Sequence, residues 1–154
     1  MQKIQRGFTL IEILLTIGII AVMAVVVIVT LDPASRYNDV RNARRLSDIQ
    51  SILSAVRQYI FDNKGMLPAG VYTYERQIGI GVSCYIKNDV CSADSGTDCL
   101  NLSNDLARYL KSMPYDPQYG SSEQTHYTIQ VDNNNIVTVR ACDSTDATLS
   151  TVSR

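Results

Sequence analysis

The stretch from Phe8 to Leu31, FTLIEILLTIGIIAVMAVVVIVTL, runs for 24 residues with a single ionisable side chain, Glu12. At about 1.5 Å per residue a helix of that length covers roughly 36 Å, enough to cross a hydrocarbon layer about 30 Å thick. No polar stripe runs along it, so it does not read as the core helix of a water-soluble domain. A removable secretory signal has a shorter apolar run of about 7 to 15 residues and a small-residue cleavage site, which this block lacks. The segment is therefore predicted to span a membrane and to stay in the mature chain.

Glu12 is costly where it stands, since an acidic side chain at the centre of a membrane helix costs on the order of 2.5 to 3.5 kcal/mol. Its place near the start of the block allows one plain reading, a carboxyl at headgroup depth that stays hydrated or takes up a proton. Its surroundings allow another. Gly7, Phe8, Thr9, Leu10, Ile11 and Glu12, preceded by Lys3 and Arg6 and followed by a full-length span, resemble the leader junction of type IV prepilins and the related pseudopilins. The resemblance covers roughly residues 1–31 closely.

It implies a leader of residues 1–7, cleavage between Gly7 and Phe8 by a membrane prepilin peptidase, and N-methylation of the new amine on Phe8. It also implies retention of residues 8–31 as a transmembrane and polymerisation helix. Glu12 is then a subunit-assembly residue that meets the N-terminal amine of a neighbouring copy, because two charges that are costly to bury alone become tolerable together. The implied partners are further copies in a helical filament, the peptidase, membrane lipid, and an assembly platform with its ATPase. The implied location is the inner membrane with a cytoplasmic N-terminus, then a cell-surface filament. One departure is notable. Many relatives carry a proline late in the apolar block, whereas here Ala21 to Thr30 has none and the first proline is Pro33.

Charge patterning gives conflicting signs for orientation. Lys3 and Arg6 favour an N-terminus in the cytoplasm, but Arg36, Arg41, Arg44 and Arg45 crowd the other end of the span. The four cysteines decide for N-in, because pairing them requires an oxidising space. The Arg cluster reads as a solvated face with local pairs such as Arg44 to Asp48, or as a contact for headgroups or adjoining subunits; DNA is the weakest reading. Residues 1–60 carry 7 basic and 4 acidic side chains and residues 61–154 carry 7 and 11, giving +3 and −4. Opposite charge on the two parts favours head-to-tail contact between copies. A net charge of −1 and a pI of about 5.7 give no general case for a nucleic-acid partner.

Beyond the span, Asp32-Pro33 offers an N-cap followed by proline at the first helical position, which restarts a helix over residues 33–61. Leu46, Ile49, Leu53, Val56 and Ile60 recur at spacings of 3 and 4, flanked by Ile52 and Tyr59, and form the apolar face of an amphipathic helix. Gly65 supplies a left-handed cap and Pro68 prevents resumption. Ser103 caps a short helix through Lys111. Thr125 to Val131 and Ile136 to Cys142 read as two strands joined by the turn Asp132 to Asn135, and Thr148 to Ser153 as a third strand. The expected architecture is α+β and pilin-like: a long N-terminal helix, membrane-spanning then amphipathic, packed on a small antiparallel sheet within an extracytoplasmic domain of residues 32–154.

Cys84, Cys91, Cys99 and Cys142 suit two disulfides. Three connectivities are open; a local Cys84–Cys91 loop, with Cys99–Cys142 tying the loop region to the second hairpin strand, is the favoured pairing. Their spacings lack the close CxxC pairs of a zinc site. Asp94 to Asp98 reads as a solvated turn, not a calcium loop. His126, the one histidine, reads as an ordinary strand residue, and Gly79 and Gly81 do not complete a phosphate-binding loop. No catalytic residue and no cofactor is assigned. The expected function is that of a structural subunit of a type IV pilus-like filament. A type II secretion pseudopilin and a membrane-anchored binding module that does not polymerise are the alternatives.

Overall fold

The computed structural model of the chain describes residues 7–31, 33–94, 98–146 and 149–154. Two helices, α1 (Leu10–Leu31) and α2 (Pro33–Asp62), precede six short strands. The Asp32 expected as a cap lies outside the described residues; Pro33 is the first described residue of α2. The chain divides into two compact units, one ending at Tyr37 and one running from Asn38 to Arg154.

In the second unit the strands are β1 (Arg76–Gln77), β2 (Tyr85–Lys87), β3 (Ser92–Asp94), β4 (Tyr127–Val131), β5 (Val137–Ala141) and β6 (Thr151–Ser153). A four-stranded antiparallel sheet takes the order β1-β4-β5-β6, and β2 and β3 form a separate hairpin. The apolar face of α2 covers the sheet as its spacing predicts: Ile49, Ile52, Leu53 and Val56 are buried with Ile129, Val131, Val137 and Val139, and Leu46, Tyr59 and Ile60 pack at the margin. The fold is α+β.

The β4–β5 hairpin forms where alternation predicts it, with Asn135 at φ 63° in the turn and Asp132 Oδ1 accepting the N–H groups of Asn134 and Ile136 at 2.8 and 2.7 Å. The third strand is present as β6; Thr148, where it was expected to begin, is outside the described residues.

Three local expectations differ from the structure. Residues 103–109 form successive turns, not a helix, because bonds from Leu106 to Leu102 and Leu110 to Leu106 alternate with shorter-range ones from Ala107 to Asn104 and Tyr109 to Leu106. The left-handed cap of α2 begins one residue early: Lys64 adopts φ 57° and Gly65 φ 90°, and the Gly65 N–H reaches back to the Ile60 carbonyl at 2.8 Å. That six-to-one bond is the Schellman closure, with a lysine where glycine is favoured. His126, at φ 61°, sits just before β4 instead of within it.

Candidate functional site

The chain is non-helical at residues 7–9 and turns helical at Leu10, the start of α1. Thr9 is the reason: its carbonyl accepts the N–H groups of Glu12 and Ile13 at 3.1 and 3.3 Å, and its Oγ1 lies 3.3 Å from the Glu12 nitrogen. Thr9 thus caps the helix and Glu12 stands at the third helical position, the T-x-x-E spacing of a capping box. A carboxylate there also faces the positive end of the helix dipole. The Gly7–Phe8 bond lies in exposed, non-helical chain directly before the cap, the backbone form that a protease requires.

The rest of α1 carries little that is polar, and what it has is satisfied internally. Thr16 Oγ1 donates to the Ile13 carbonyl at 2.8 Å, and Thr30 Oγ1 lies 3.0 Å from the carbonyls of Val26 and Val27. Such back-bonding suits a helix without water around it. The helix is long and apolar enough to cross a membrane, and none of its most apolar window is buried within the chain. Among the described residues no hydrogen bond or ion pair engages the Glu12 carboxylate.

In the second unit the structure pairs Cys84 with Cys99 and Cys91 with Cys142, at Cα separations of 5.0 and 5.3 Å. This corrects the favoured pairing. Cys84 precedes β2 and Cys91 sits at the hairpin turn, where its carbonyl accepts the Asn88 N–H at 2.9 Å, so the length of a strand separates them. The bridges interleave and fasten both ends of the β2–β3 hairpin, one to its own return and one to the end of β5. Loops of 15 and 51 residues remove roughly 3 and 4 kcal/mol of unfolded-chain freedom in the entropic model. Of the proposed turn at Asp94 to Asp98, residues 95–97 are outside the described residues, and no group of metal-ligating side chains occurs among the described residues.

The Arg cluster does not act as one surface. Arg44 lies 3.8 Å from Asp48, the local pair that the sequence predicts. Arg45 is buried, with Nε 2.5 Å and Nη2 3.2 Å from the Asp116 carboxylate and Nη1 donating to Asn42 Oδ1 at 2.9 Å. Asp116 also accepts the N–H groups of Gln118 and Tyr119. Burial pushes its carboxyl up, but Arg45 and those two donors outweigh burial and hold it below 3.8. A second buried carboxylate, Glu75, receives the Thr128 hydroxyl at 2.5 Å, the Ser92 N–H at 2.7 Å and Arg140 Nη1 at 3.1 Å. Gln77, also buried, has no partner for its amide among the described residues, and nothing in the structure explains it.

His126 places Nδ1 2.6 Å from Asp143 Oδ2, with the Tyr119 ring stacked at 6.4 Å. The Asp143 hydrogen bond raises the imidazole above 6.5 against the opposing effect of burial. No serine or cysteine nucleophile is hydrogen-bonded to His126 among the described residues. Sequence reasoning missed both this pair and Arg45–Asp116; for Arg45 a signal was present, since Asn42, Arg45, Ile49, Ile52 and Val56 also recur at spacings of 3 and 4.

The chain thus combines an apolar helix that is capped at Thr9 and long enough to cross a membrane with a disulfide-braced α+β unit. Residues 2–28 match the family described as the prokaryotic N-terminal methylation motif, the signature of type IV prepilins and pseudopilins. No curated protein and no solved structure matches the chain.

Proposed function

We propose that this chain is a structural subunit of a type IV pilus-like filament. Prepilin peptidase removes residues 1–7, the amine of Phe8 is methylated, and residues 8–31 hold the subunit in the inner membrane until it is extracted into a filament. Residues 32–154 form the extracytoplasmic domain, a location in keeping with the two disulfides. Assembly machinery supplied by other proteins drives the extraction; this chain contributes packing and no catalysis.

The observation that carries the reading is the methylation motif on a helix whose most apolar window is not buried among the described residues. Transferred from lipid to a bundle of identical helices, α1 gains close packing, and each Glu12 gains a counter-charge in the amine of the next copy. A copy out of register leaves that carboxylate unpaired, so the cost of burial also specifies the stagger. N-terminal mass spectrometry of material sheared from cells is the test. The expected product begins at N-methylated Phe8; chains that begin at Met1 overturn the proposal.

A further inference from the structure

Phe61, in the last turn of α2, is the most exposed large apolar side chain of the described residues, at 86%. Its nearest acidic neighbour is Asp62, whose Oδ2 accepts the Tyr109 hydroxyl at 2.6 Å. Elsewhere on the same unit a cavity of about 370 Å³ opens among Ile80, Leu106, Leu110, Met113 and Tyr115, with Lys111 as the one charged side chain lining it. The sequence of turns at residues 103–109 shapes it: Leu106, fully buried, makes the floor, and Ile80 and Tyr115, both about half exposed, make the rim. Phe61 does not line this cavity; it borders a different recess, with Ser54, Arg57 and Tyr109.

We propose that Phe61 of one copy seats in this cavity on the next copy, with Asp62 facing Lys111. At about 370 Å³ the cavity is about two and a half times the void of about 150 Å³ that holds a benzene ring, so a phenylalanine ring fits. The Oδ1 of Asp62 is left for the lysine, and Arg57, a turn back on α2, keeps the attraction moderate. Knob and hole are distinct sites on one unit, so in a filament whose copies α1 has set in a common direction the contact is heterologous and passes from copy to copy. One ring and one ion pair fall far short of the roughly 1,200 Å² that a stable free interface buries. The contact therefore orients globular units that α1 has already gathered, and it rests on the filament reading in that respect.

The test places a photo-cross-linking phenylalanine analogue at Phe61 of the full chain, expressed in its membrane, with a second preparation carrying the same probe at Ile20 in α1. The expected result is a copy-to-copy adduct from position 61 that maps to residues 103–115, reduced at least tenfold by Ala107→Trp, which fills the cavity from its wall. Adducts from position 20 without that adduct from position 61, or with position 61 joined to lipid, another protein or another segment, overturn the proposal and leave the filament standing. An adduct that Ala107→Trp does not reduce also overturns it. Absence of copy-to-copy adducts from both positions overturns both.

Discussion

Removing the carboxylate of Asp116 leaves the Arg45 guanidinium charged, buried and without its counter-ion. Asp116→Ala is expected to cost about 3 to 5 kcal/mol, the usual consequence of breaking one side of a buried pair, read as a lower midpoint in thermal or urea melts of the detergent-solubilised chain. A loss below 1 kcal/mol contradicts that account. The pH dependence has a definite sign: because the folded carboxyl lies below 3.8, its contribution is present above that value and fades as pH falls through the folded value. His126 acts in the other direction. Its imidazole is raised above 6.5 by Asp143, so the pair stabilises fully below 6.5 and loses its effect as pH climbs through the folded value. His126→Gln is expected to flatten that part of the stability profile, and an unchanged slope contradicts the assignment. At this scale the sequence was legible for Arg44–Asp48, whose spacing makes the pair local. It was opaque for Arg45–Asp116 and His126–Asp143, whose partners lie 71 and 17 residues apart.

Elements were read best where periodicity was strong. The apolar ridge of α2 and the alternation of β4 and β5 each present one face to one core, and both lie where the pattern predicts. The stretch from Ser103 to Lys111 has helical composition but also Pro114 and Pro117 close behind it, and tertiary packing of Leu102 and Leu106 holds it as turns. The end of α2 was legible as a stop but not in register. Lys64 holds a left-handed conformation that costs a residue with a Cβ about 1 kcal/mol, and its side chain is exposed. Lys64→Gly is therefore expected to stabilise the second unit by about 0.5 to 1 kcal/mol, seen as a rise of a few degrees in Tm; a fall contradicts the Schellman assignment.

Across the whole molecule, Glu12 is the one ionisable side chain of the apolar block from Phe8 to Leu31. Thr9 supplies the helix with its cap, so Glu12→Leu is expected to leave α1 helical and membrane-inserted while reducing sheared filament yield by tenfold or more. Membrane flotation and filament recovery from the same cells check the two halves separately, and normal recovery contradicts the role in assembly. The apolar helix and the place of its acid were readable from the first 31 residues because an unbroken apolar run depends on local composition. Disulfide connectivity was not, since it depends on how the β2–β3 hairpin folds back.

That connectivity has a mechanical corollary. Drawn taut from both ends, the covalent path from Cys84 to Cys142 runs along the backbone only as far as Cys91 and crosses there directly to Cys142. About 50 residues are thereby withheld from extension, roughly 170 Å of slack at some 3.4 Å per residue. A subunit under tension in a fibre would stretch through α2 and the segment before Cys84, while everything the two bridges enclose would behave as a nearly inextensible knot.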